Sequence, residues 1–498
     1  MKQNFLLFFA LLSLNYACSD LESLQNIEGI DVDAEYAFPL MDSRVAMTDL
    51  IADFDDQASL LVDDDGLLRF FYQGDTTIRD SKEIFDQINA VLPPLIPVLN
   101  NVNGFSVANS SLDIDQVIFK GGDLEYTFFN RNSNSVTVEV SIPEMSKDGA
   151  PLSETHTVGA FQNLPLSKFD MSDVVLVPEN DSFHINYQAV TEAGMAVTLE
   201  QFFMLPKDFD YAYAEGLLGS QAFESDQDTL DFDYYDNWVE GNVAFQNPKV
   251  ILNIDNAFGF PAIALAETFE ILTIEEQMLP LESVLIDNGF TFNYPTLEEI
   301  GAIKSTQFVF DKDNSNLVEV ISAGPNAVIY DLDVVTNPAT NSTGFLTDSS
   351  FFSYSIDAEF PLEGNISNFS INDTSQVDFS SYDQIEGAEI KLITENSIPL
   401  ATQIQAYFLN DKGTVLDSLF EESTTLIAAA ETDQAGNVGK ATEQVSFIPI
   451  DALKFDQIRT ARFLILNTSF SSPNDGNALS RIKKDQFVAV RMGMKVKV

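Results

Sequence analysis

Apolar and polar positions alternate in short runs along most of this chain. Val136-Thr-Val138-Glu-Val140 alternates residue by residue, and Phe290-Thr-Phe292-Asn-Tyr294 and Val250–Ile254 follow the same rule. A period of two predicts strands with one buried face. Leu60–Val62 and Leu67–Tyr72 flank Asp63-Asp64-Asp65-Gly66, and Ala406–Leu409 and Val415 flank Asn410–Gly413. Both read as hairpins, because Asp-Gly and Asn/Gly turns accept the positive φ that tight turns require. Phe308–Phe310, Asp311–Asn316 and Leu317–Val320 read as strand, loop and strand, and Val488–Val498 predicts a strand that closes a sheet. Helical patterns are confined to Met47–Phe54, Ser81–Val91, Leu297–Ile300 and Asp451–Arg462, the second stopped by Pro93-Pro94.

Three stretches share one order of features. They run from Asp113 through Gly121-Gly122 to Asn130, from Asp231 through Gly241 to Asn256, and from Asp378 through Gly387 to Asn396. In the last two, Pro261 or Pro399 follows soon after the Asn. Gly and Asn tolerate the backbone of strand ends, and Pro suits positions that need no ladder donor. The motif therefore reads as structural. Its offsets, 118 residues from Asp113 to Asp231 and 147 from Asp231 to Asp378, are about the size of a β-sandwich module. The expected fold is all-β: tandem antiparallel sandwiches, Ig-like or LEA14-like, with a few short helices. The expected divisions are a signal segment at 1–18, an N-terminal β segment at 19–105, and sandwiches at 106–225, 226–350 and 351–498. Ala34–Leu40 and Ala358–Leu362 share an acidic-aromatic-Pro pattern that reads as the first strand of a module.

Composition sharpens this picture at the N-terminus. Lys2 precedes the uncharged run Phe5–Leu14, which is too short to span a bilayer. Ala17 then precedes Cys18, the only cysteine in 498 residues. That position is where a lipoprotein signal peptidase cuts and a diacylglycerol is attached, although Asn15 stands where such signals usually carry Leu. Cys18 is thus the candidate lipidation site. With no other thiol, disulfides and thiolate metal sites are excluded within the mature chain. The charge of −52, from 25 basic and 77 acidic residues, excludes nucleic acid as a partner. Nine of the basic residues lie at or beyond Lys454, so the acidity belongs mainly to the earlier part.

Catalytic chemistry finds little footing. His156 and His184 are the only histidines, and neither has a metal-ligand companion or a nucleophile elbow. Carboxylate pairs carry no information among so many acids. Asp311, Asp313 and Ser315 alternate as calcium ligands do, but Asn316 replaces the glycine and Ser322 the terminal glutamate of an EF-hand loop. A hairpin turn is the expected role, no cofactor is assigned, and calcium is the one ion with a candidate loop. Trp238, Tyr234 and Tyr235 form the candidate aromatic platform for a ligand such as a glycan, with Tyr211 and Tyr213 nearby in sequence.

The signal layout, Ser19-Asp20-Leu21-Glu22 after the cysteine and the Phe- and Asp-rich β body resemble surface lipoproteins of the Bacteroidota. In that group an acidic tract beside the cysteine helps route the protein to the outer face of the outer membrane. Ile254–Ile263, with Asn256, Gly259 and Pro261, is similar to the LEA14-type β-sandwich. The resemblance implies a non-catalytic protein held on the outer membrane by its lipid and exposed at the surface. It would serve as adhesin, spacer or ligand-presenting surface, with a glycan or protein as its other partner. The alternatives are a carbohydrate-binding lipoprotein of a glycan uptake system and an elongated lipid-binding β protein.

Overall fold

A computed structural model describes residues 35–47, 58–91, 93–108, 112–233, 238–339, 342–378 and 387–497. Every strand pairing described is antiparallel, and the strands form five sheets. The chain is therefore all-β, a multi-sheet sandwich architecture with a few short helices, as the alternation requires. The longest described helix is Lys82–Val91.

The largest sheet has ten strands and is built mainly from residues 96–217. Its two longest strands, Asp113–Phe129 and Glu200–Leu217, pair along their length through several register shifts. Bulges of this kind bend a strand. At one of them Gly122 adopts φ +104°, and a Cβ there would meet Asp208 O at 2.7 Å and Phe209 Cα at 2.8 Å. Two six-stranded sheets face each other through Phe269 against Phe310 (centroids 5.1 Å apart) and Phe292 against Phe352 (5.2 Å). A four-stranded sheet, ordered Glu35–Ala46, Phe487–Lys497, Gly387–Asn396 and Thr442–Asp451, packs on a seven-stranded one. Leu392 and Ile448 of the former meet Leu426 and Ile404 of the latter. We call the four-stranded layer the terminal sheet, since it holds both ends of the described chain.

The strand partners cross the divisions expected from the sequence. The described residues of 19–105 do not form a sheet of their own. Within that range, Glu35–Ala46 joins the terminal sheet, Ala58–Val62 and Leu68–Gln73 join a six-stranded sheet beside Phe351–Pro361, and Val102–Ser106 joins the ten-stranded sheet. Gly344–Thr347 pairs with the ten-stranded sheet, and Trp238–Phe245 pairs with Glu363–Gln376 of the seven-stranded one. Period and turn chemistry specify a strand but not its partner, so boundaries drawn in sequence order miss these exchanges. The Ala358–Leu362 pattern likewise ends a strand, Phe351–Pro361, where a first strand was expected.

Local predictions fare better. Both hairpins form, with Gly66 and Gly413 at positive φ. Lys82–Val91, Leu297–Glu299 and Ala452–Ile458 are helical, the last capped by the Asp451 side chain accepting from Lys454 N–H. Leu317–Ile321 is a helix where a strand was expected. Leu317, Val320 and Ile321 are all buried, a three-and-four spacing that only a helix turns to one side. The helix expected at Met47–Phe54 lies largely outside the described residues.

Candidate functional site

Asn130, Asn256 and Asn396 all stand at strand ends and are almost wholly buried. Each accepts, through Oδ1, from the backbone N–H two residues on: Asn132, Phe258 and Ile398. Each donates, through Nδ2, to carbonyls of a distant strand or loop: Val158 and Gly159, Asn293, or Ala428. Asn130 and Asn396 also donate to the carbonyl four residues on. A buried amide must satisfy its donors and acceptor, and these side chains do so by tying a corner to the sheet. The Asn part of the repeat is thus one recurring structural device. The Gly part is not, because Gly241 lies on Trp238–Phe245, a strand given to another sheet.

Asn396 stands at the rim of an apolar cavity of about 170 Å³. The cavity lies between the terminal and seven-stranded sheets. Val488 contributes from the terminal sheet, Phe245, Phe369 and Phe470 from the opposite sheet, and Ile398, Leu400 and Ile482 from the connections. Phe70 reaches it from the N-terminal hairpin. Its polar rim atoms have other partners: Asn396 holds Leu400 O and Ala428 O, and Ser480 Oγ donates to Pro399 O. A space lined this way has little to offer water and suits a small apolar guest. Sequence patterning cannot show it, because its wall is drawn from strands far apart along the chain.

The sequence-predicted residues are scattered. Cys18, Tyr234 and Tyr235 lie outside the described residues. Trp238 is partly buried against the core, and its indole N–H donates to Gly241 O at 3.0 Å. Tyr211 is buried, donates to Asn89 Oδ1 and stacks on Phe85, while Tyr213 donates to Glu215. Asp311 is occupied within its own turn, accepting from Asp313 N–H, while its carbonyl accepts from Ser315. No cluster of three or more potential metal ligands occurs among the described residues.

The histidines have structural partners. His184 Nδ1 lies 2.6 Å from Glu144 Oε1, and its backbone N–H donates to the other oxygen of that carboxylate. His156 Nε2 lies 2.6 Å from the Tyr126 hydroxyl, which donates to Glu154. Burial first, and the Glu154 carboxylate second, push the Tyr126 hydroxyl well above its ordinary pKa, so it stays a donor.

Among the described residues no helix is long and apolar enough to cross a membrane. No family model and no curated protein matches the chain. Among solved structures, a Parabacteroides distasonis protein inferred to be secreted is similar over 93% of this chain and 100% of its own, with 13% identity and a TM-score of 0.26. The infectious bursal disease virus VP2 particle is similar over 81% and 74%, with 9% identity and a TM-score of 0.15. A triple jelly roll protein of an archaeal virus is similar over 81% and 84%, with 12% identity and a TM-score of 0.12. Scores this low carry no argument about what this chain does.

Proposed function

We propose that this chain is a non-catalytic lipoprotein of the bacterial cell envelope. It is held on the outer membrane through Cys18, and its sandwiches form a surface for adhesion, spacing or ligand presentation. The observation that carries this reading is the place of Glu35–Ala46, an integral strand of the terminal sheet. Residues 19–34 are the stretch of sequence between Cys18 and this strand. Their reach is at most about 55 Å when extended. The test is Cys18→Ser followed by membrane fractionation and mass spectrometry of the N-terminus. The variant should appear in the soluble fraction; retention in the membrane overturns the anchor.

The cavity favours a second reading, that the same body holds a small apolar ligand. An engineered apolar cavity of about 150 Å³ binds benzene or xenon in another protein. Benzene should raise the melting temperature here, and Leu400→Phe, which fills the space, should abolish the rise. No rise in the wild-type protein counts against a ligand site.

A further inference from the structure

The terminal sheet has one face in the sandwich core and one face open. Leu392, Thr394, Ile448 and Val488 point inward and are buried. Alternation then sends Lys391, Ile393, Val445, Phe447 and Arg491 outward. Register aligns Val445, Ile393, Arg491 and Asp42 in one cross-strand row, and Phe447, Lys391, Gly493 and Pro39 in the next. Phe447 is 56% exposed and Val445 53%. Cations lie over aromatic rings on this face: Lys391 Nζ is 5.7 Å from the Phe447 centroid, and the Arg44 guanidinium 3.5 Å from that of Phe487.

Its charge sets it apart. Arg44, Lys391, Arg491 and Lys495 stand among five acids, Asp42, Glu389, Glu395, Glu443 and Asp451, a near balance, whereas the whole chain holds 77 acids to 25 bases. An acidic body is repelled by anionic headgroups, and a balanced face with cations beside aromatic rings is the part that can approach them. Glu35, 17 residues after Cys18, lies in this same sheet. Tethering raises local concentration enough for a weak contact to count.

We infer that the open face of the terminal sheet is the surface this protein lays on the membrane. Phe447 and Val445 sit at headgroup level, and Lys391, Arg44 and Arg491 meet lipid phosphates. The inference rests on the lipid-anchor reading and adds an orientation: the terminal sheet lies down and the acidic remainder faces away.

The test uses full-length acylated protein in phosphatidylethanolamine–phosphatidylglycerol vesicles with brominated acyl chains as quencher. Phe447→Trp is compared with Val177→Trp, an exposed position beside the ten-stranded sheet, each against the wild-type emission of Trp238. Aromatic side chains at the interface sit within reach of the upper acyl chain, so the Phe447→Trp emission should fall by about half or more and shift to the blue. The Val177→Trp emission should not change. Equal emission from both, in protein that floats with the vesicles and carries an acylated Cys18, overturns the inference. An unmodified Cys18 defeats the anchor reading instead. The face is then judged by adding vesicles to unacylated protein: quenching of Phe447→Trp supports it, and none at saturating lipid overturns it. Self-association in vesicle-free buffer that Phe447→Ser abolishes assigns the face to a second copy, and also overturns the inference.

Discussion

Single residues carry much of the specification in this fold, and the three buried asparagines show how. Asn256→Ala leaves the Phe258 N–H and the Asn293 carbonyl without their partner. The expected loss is about 1–3 kcal/mol, read from the urea midpoint. Asn256→Asp keeps the acceptor, loses the donor and buries a charge, so it should cost more and recover in part at low pH. An unchanged midpoint for both would remove the corner role. The recurrence of Asn130, Asn256 and Asn396 was legible in sequence. Their burial was not, because each also holds a carbonyl about 30 residues or more downstream, on an element whose position only the fold decides.

At the scale of elements, the hairpin Ala58–Val62 and Leu68–Gln73 joins two sandwiches. Its second strand pairs with Phe351–Pro361. The turn end also bonds to the segment after the seven-stranded sheet: Leu68 N–H donates to Ile482 O, Ile482 N–H to Leu362 O, and Leu362 N–H to Leu68 O. Arg481 adds a bridge to Asp65 at 2.8 Å. Leu68 is fully buried at this meeting point and belongs to the cluster with Ile398, Ile482 and Val488. Leu68→Ala should cost about 2–5 kcal/mol and speed hydrogen exchange at Ile482 and Leu362 together. Exchange that changes in the hairpin alone would show that it is an ornament and not a joint. Asp-Gly chemistry made this hairpin readable; its destination was not, since nothing in Leu60–Tyr72 encodes which edge it meets. The same holds for the terminal sheet, where the alternation of Val488–Val498 told of a strand, and the partner at Glu35–Ala46 lay at the far end of the sequence.

For the whole molecule, the excess of acids governs the response to pH and salt. Asp170 is held down to about 2 by the Ser172 hydroxyl and backbone N–H, with Lys147 adding to them. Asp65 and Asp433 are held low chiefly by backbone N–H groups of Leu67 and Asn437. Stability from these groups is present above the ordinary carboxylate range and is lost as pH falls through their lowered values. Asp113, Asp331 and Asp357 are pushed up, by burial first; neighbouring carboxylates add to the shift at all three. Their folded pKa exceeds the unfolded one, so the fold gains stability as pH drops from above their raised values toward the ordinary range. Stability should therefore peak on the acid side of neutrality, between the raised and the lowered carboxylate values, and be lost as pH falls toward the Asp170 value of about 2. Sodium chloride should raise the melting temperature at pH 7 by screening the net charge. Calorimetry across pH and salt checks both, and a steady decline from pH 7 downward would contradict the balance of shifts. Asp357→Asn keeps a side-chain oxygen facing Asn253 and should be neutral or stabilising at pH 7.

The last strand, Phe487–Lys497, lies between Glu35–Ala46 and Gly387–Asn396. This has a consequence in time. A chain made from its N-terminus completes the terminal sheet only when Phe487–Lys497 has been added. At typical synthesis rates the first strand waits roughly 20–90 s for its partner. A product cut short before Phe487 leaves two strand edges bare on either side of the gap. Such edges invite aggregation and proteolysis. The strand Phe487–Lys497 thus sets the moment at which both of its neighbours in the terminal sheet gain a partner.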